Sequence, residues 1–177
     1  MPELGMTEAL IFALVGGAQG ATPSRYGVIL AWTMAAVFLL VGAASLRLFD
    51  RRPPAEREPL WLTADPGRPM AVSALIGVGE EVFFRGSLQS FALSFADPVY
   101  ALFAVNLLFA LIHFRGGLTF ALSAGFFGMT ASVMTLASAS LLPAIVMHAG
   151  WNILVGIARR REAARVGTSE PAPDLAL

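Results

Sequence analysis

Residues 116–158 read GGLTFALSAGFFGMTASVMTLASASLLPAIVMHAGWNILVGIA, and none of the 43 positions holds Asp, Glu, Lys or Arg. A helix that crosses the ~30 Å hydrocarbon core of a bilayer needs about 20 mainly apolar residues. The run is long enough for two such helices, with residues 138–143 (SASLLP) as the hinge between them. Outward from it the same texture recurs. Residues 98–114, PVYALFAVNLLFALIHF, are uncharged, and Asp97-Pro98 before them is a turn signal. Residues 26–46, YGVILAWTMAAVFLLVGAASL, are uncharged for 21 positions and bracketed by Arg25 and Arg47. Residues 69–95 make a further apolar segment that starts on a proline, a residue suited to the first helical turn.

The whole composition agrees. Hydrophobic residues make up 56% of the 177, and charged residues 14% where a soluble domain carries about 25%. So few charges cannot cover so much apolar surface in water. The expected fold class is therefore all-α, a polytopic transmembrane helix bundle of about six spans. The absence of cysteine excludes disulfides, thiolate catalysis and Cys-ligated zinc. A net charge of zero, with no basic block, argues against nucleic acid as a partner.

Four regions are expected. Residues 1–46 hold two N-terminal spans, the first being the short stretch Met6–Ala21, which carries Glu8 and a Gly-Gly pair. A cleaved leader is the rival reading of that stretch, but no Lys or Arg precedes it. Residues 47–68 are charged and proline-rich and read as a cytoplasmic loop. Residues 69–158 form a core of four spans, and residues 159–177 a cytoplasmic tail, expected to be disordered. All twelve basic residues are Arg, and the six-span arrangement puts ten of them on one face: Arg47, Arg51, Arg52, Arg57, Arg68, Arg115, Arg159, Arg160, Arg161 and Arg165. By the positive-inside rule both termini are cytoplasmic. The location this implies is a multi-pass integral membrane protein of a bacterial inner (plasma) membrane, with the lipid bilayer as its surroundings.

Within the 90 residues from Pro69 to Ala158 the only charges are Glu80, Glu81, Arg85, Asp97 and Arg115. Ionisable groups inside lipid are costly, and they mark functional sites by default. Glu81 and Arg85 stand at i, i+4 and can pair on one helical face, whereas Glu80 points away by about a quarter turn. Unpaired, the three charges would cost roughly 7–10 kcal/mol to insert. His113, in Phe109-Ala-Leu-Ile-His113, lies near the cytoplasmic end of its helix. His148 and Asn152 put an imidazole and a carboxamide one turn apart on a third helix. At ~1.5 Å per residue, Glu80 lies roughly 16 Å above the cytoplasmic edge, Asn152 roughly 14 Å, His148 roughly 20 Å and His113 roughly 8 Å. Tilt can bring all four to one cavity. There a carboxylate can act as general base, histidine can share the proton work, and a carboxamide can stabilise an oxyanion. That set fits hydrolysis of a peptide bond by water inside a membrane.

Glu80-Glu81-x-x-x-Arg85, Phe109-x-x-x-His113 and His148-x-x-x-Asn152 resemble, in order and type, the three motifs of the CPBP family, which comprises CAAX prenyl endopeptidases and bacterial Abi-type intramembrane proteases. The resemblance covers residues 69–158. It implies an intramembrane endopeptidase in which Glu80 and His113 activate water, His148 and Asn152 stabilise the tetrahedral oxyanion, and Glu81 and Arg85 are a supporting pair. It implies as substrate a membrane-anchored peptide or protein, cut near its C-terminus. No cofactor is expected. One Glu and two His from separate helices could ligate zinc, but Asn152 beside His148 suits an oxyanion hole better than a zinc shell. Two other classes remain open on the residues alone: a proton-coupled membrane transporter, and a non-catalytic membrane peptide-binding or immunity protein.

Overall fold

The computed structural model describes residues 24–51 and 69–167, and all its regular structure there is helical. The stretch Met6–Ala21 and residues 52–68 of the expected 47–68 loop lie outside the described residues. Helix α1 is Arg25–Asp50. Ser24 starts it, its Oγ accepting from the Gly27 amide at 3.0 Å, as an N-cap serine does for one of the unpaired first-turn donors. Helix α2, Met70–Glu81, follows Pro69. It runs without a break into a π-helical segment, Val82–Leu88, and then into the short α3, Gln89–Leu93. Helix α4 is Pro98–Ile112, capped by Asp97, whose carboxylate accepts from the Val99 amide at 2.9 Å. A 3₁₀ turn, Phe114–Gly116, and Gly117 at φ 90° carry the chain into α5, Leu118–Ser138. Ala139, at φ 49°, stops α5, and α6 spans Leu142–Gly167.

Helix α6 is central, packing against α1, α2 and α5, while α4 packs on α5. Between them Phe84, Phe109, Phe127, Met134, Met147 and several alanines form the buried core. The outer faces are as apolar as the inside. Leu40, Val99, Tyr100 and Phe126 are each more than two-thirds exposed. An apolar exterior on several helices together is what a bilayer, not water, covers.

Three helical stretches are long and apolar enough to cross a membrane: Arg25–Leu48, Leu118–Ser138 and Leu142–Arg165. Of the six expected spans the first lies outside the described residues, and two of the other five fall short of that length and apolarity. Helix α4 has 15 residues, about 22 Å at the α-helical rise, and the path from Met70 to Leu93 carries Glu80, Glu81 and Arg85. Two helices also extend past their expected ends. Helix α1 reaches Asp50, beyond Leu46, and α6 continues to Gly167, where a disordered tail was expected from Arg159. Arg, Glu and Ala, good helix formers, fill residues 159–165. Arg165 and Arg161 reach Asp50 at 3.2 and 3.8 Å, joining the two extensions.

Candidate active site

Glu80 and Glu81 end α2, where the helix widens into the π segment. Four α-helical residues overshoot a full turn by about 40°, so residues spaced i, i+4, i+8 ordinarily drift off one face. The π segment offsets that drift, and Glu81, Arg85 and Gln89 are all fully buried on one side. π segments inside helices are frequent at functional sites.

Glu81 is the junction of the site. Its Oε1 accepts from His148 Nδ1 at 2.7 Å, and its Oε2 lies 3.4 Å from Arg85 Nε. The expected Glu81–Arg85 pair is thus present. Arg85 does not stop there: Nη2 donates to Asn106 Oδ1 at 3.1 Å, and the guanidinium lies over the Phe109 ring at 4.6 Å. Asn106 in turn donates from Nδ2 to the Leu102 carbonyl at 2.8 Å and to Ser132 Oγ at 2.9 Å. A buried polar chain therefore runs from α6 through α2 and the π segment to α4 and α5. Buried charges are tolerated only where they are paired and hydrogen-bonded.

Glu80 stands apart from that chain. Its Oε2 is 3.7 Å from His148 Nε2, too far for a hydrogen bond, and has no hydrogen-bond partner among the described residues. One imidazole is thereby held between two carboxylates, Nδ1 bonded to Glu81 and Nε2 facing Glu80. With Nδ1–H committed to a carboxylate, the ring's orientation is set and Nε2 is left for chemistry, the arrangement by which an acid orients a catalytic histidine. Phe127 packs edge-on against the same ring at 4.7 Å.

Asn152 lies one turn along α6, and its Nδ2 donates to the Ser73 carbonyl on α2 at 2.8 Å, which uses one of the two amide protons. Gly77 lets the two helices approach this closely. A Cβ there would stand 3.0 Å from Asn152 Nδ2 and 3.1 Å from His148 Cδ2. His113 is placed differently from the expectation that paired it with Glu80. It caps α4, its Nδ1 bonds the Phe109 carbonyl at 2.7 Å, and its ring packs on Phe109 and Phe120. No hydrogen bond or ion pair joins it to Glu80 or His148. Phe109 lies between the two histidines, 4.5 Å from the His113 ring and 6.3 Å from His148.

Glu80, Glu81, Arg85, His148 and Asn152 are thus brought together, with His113 one aromatic ring away. Gly77, Asn106, Gly128 and Ser132 complete the setting and were not singled out from sequence. Asn106 alone carried a signal, an amide in an otherwise uncharged helix and two turns before His113. The donor set also bears on metal. Among the described residues no three His or acidic side chains converge as metal ligands, and both Nδ1 atoms are engaged within the protein.

A family model described as type II CAAX prenyl endopeptidase Rce1-like matches residues 66–154, a stretch that includes all three motifs. No curated protein and no solved structure matches the chain.

Proposed function

The chain belongs to the Rce1-like family of type II CAAX prenyl endopeptidases, and on that premise we propose that it hydrolyses a peptide bond of a membrane-anchored protein or peptide, near its C-terminus, with water as nucleophile. The observation that carries this reading is the pair of adjacent glutamates on either side of one imidazole: Glu81 hydrogen-bonded to His148 Nδ1, and Glu80 facing Nε2 at 3.7 Å without a hydrogen bond.

In this reading Glu80 takes a proton from water as the water oxygen attacks the carbonyl carbon. His148, oriented by Glu81, and the second amide proton of Asn152 donate to the oxyanion. When the C–N bond breaks, the proton held by Glu80 passes to the leaving amine, so water's atoms end in one carboxylic acid and one amine. Glu80, Glu81, Arg85 and His148 sum to zero charge when the imidazole is protonated, and that is the form in which both its nitrogens donate. The family resemblance assigns His113, with Glu80, to the activation of water, and that role is part of the proposal. The route proposed is metal-free, because Asn152 beside His148 suits an oxyanion hole better than a zinc shell. The Arg distribution supports six spans with both termini cytoplasmic; a bacterial inner membrane is the location proposed with it.

Two experiments test the reading. Peptide ends of the membrane proteome should differ between cells with and without the chain, and identical profiles would contradict proteolysis. Purified protein should retain cleavage after exhaustive chelation; loss of activity restored by stoichiometric zinc would overturn the metal-free route.

A further inference from the structure

We propose that Asn106, locked by Ser132 and accommodated by Gly128, is a positioning residue that sets Arg85 and, through Arg85 and Glu81, the orientation of His148. The proposal rests on the reading of His148 and Glu80 as the reactive groups. Asn106 is 3% exposed, and its neighbours Arg85 and Ser132 are fully buried, so water does not compete for these bonds. Its amide has one orientation. Both Nδ2 protons are committed, to the Leu102 carbonyl and Ser132 Oγ, so Oδ1 must face Arg85. Rotating the amide would set oxygen against the Leu102 carbonyl and NH₂ against a guanidinium.

Gly128 supplies the room. A Cβ at that position would stand 2.5 Å from both Arg85 Nη2 and Asn106 Oδ1, and 3.1 Å from Phe109 Cδ1. The missing side chain on α5 thus sits directly at the Arg85–Asn106 bond. One end of the guanidinium is fixed on α4, and the other faces Glu81 on α2, whose second oxygen holds the imidazole on α6. Four helices are coupled through one arginine, and a shift of Arg85 reaches His148 without touching it. Such a chain acts as a unit, so its members are non-additive on substitution.

The test uses the full chain in proteoliposomes, with Asn106→Leu, Gly128→Ala and Ser132→Ala each in the wild-type and Arg85→Met backgrounds. Asn106→Leu and Gly128→Ala are expected to lower kcat roughly 10-fold or more, with KM within about twofold. Ser132→Ala should do the same more weakly. In the Arg85→Met background none should lower kcat further. The second readout is the His148 Nδ1–H signal in protein labelled with ¹⁵N-histidine. It should move in all three variants, because the Glu81 carboxylate that accepts it has shifted. Lower melting temperature with unchanged kcat and an unmoved signal would overturn the proposal, as would full additivity with Arg85→Met. Should the wild type cleave no peptide, the protease reading falls and the His148 signal alone decides: a shift supports the relay and an unmoved signal overturns it.

Discussion

Glu81 Oε1 accepts a hydrogen bond from His148 Nδ1 at 2.7 Å, across 67 positions of sequence, while its other oxygen faces Arg85. The neighbouring Glu80 has no such bond, and its nearest ring nitrogen is 3.7 Å away. Adjacent residues of one type therefore differ in hold. Glu81 is fully buried and takes hydrogen bonds on Oε1 from His148 at 2.7 Å and from Arg85 Nη1 at 3.5 Å; Glu80 is only ion-paired, at 3.7 Å, with His148 Nε2.

Glu81→Gln should damage stability and activity together. It leaves Arg85 buried without its counter-charge, a change worth about 3–5 kcal/mol where the pair is desolvated, and it weakens the hold on His148. Replacing Glu81 by Gln and Arg85 by Met together should recover melting temperature above either single variant and leave cleavage impaired. Detergent-phase melting curves beside kinetics read both effects. A double variant less stable than both singles would contradict the pairing.

Gly77→Ala adds only a methyl group, at the point where α2 meets α6. That methyl would press on Asn152 and His148 at about the closest distance real contacts allow. In an open helix the change would stabilise by up to ~1 kcal/mol. Here Asn152 and His148 must give way by a few tenths of an ångström, and kcat should fall by roughly 10-fold, less than a full ångström of misplacement costs. An alanine variant with full activity would mean the two helices have slack at this crossing.

Gln89→Met should raise the melting temperature. Gln89 is fully buried, and neither its amide oxygen nor its nitrogen has a hydrogen-bond partner among the described residues. A buried unsatisfied polar group costs about 1–3 kcal/mol, and an apolar replacement of similar shape removes that cost. A drop in melting temperature would show that the amide is satisfied within the folded protein.

Reporter fusions after Asp97 and after Gly167 should report opposite sides of the membrane, the second cytoplasmic, because ten Arg gather on one face of the six-span arrangement. Reports from the same side would contradict that topology.

The helical class and the ion pair were legible in sequence, because both rest on local periodicity: long uncharged runs, and Glu81 and Arg85 at i, i+4. That Glu80 faces His148 Nε2 was not. Periodicity gives the side of its own helix on which a residue lies, not which neighbouring helix it meets. Depth did carry a hint, since His113 came out roughly 8 Å above the cytoplasmic edge against roughly 16 Å for Glu80. The π segment is illegible for a related reason. Gly86-Ser87 weakens an α-helix there, but it does not say that the turn widens, which goes with Glu81, Arg85 and Gln89 sharing one buried face. Asn152 bonding a backbone carbonyl on α2 has no side-chain signature at all. Length and apolarity alone identify three of the expected spans, because charge at Met70–Leu93 and shortness at α4 hide helices from a hydropathy argument.

Glu80→Gln puts the central claim to the most direct test. The substitution keeps volume and removes the base, and Glu80 makes no hydrogen bond that holds the fold among the described residues. Cleavage of a membrane-anchored substrate by reconstituted protein should fall by about 10²–10⁴-fold, the usual contribution of general-base chemistry, with melting temperature unchanged. A Glu80→Gln protein that melts as the wild type does and still cleaves at the wild-type rate would contradict the account.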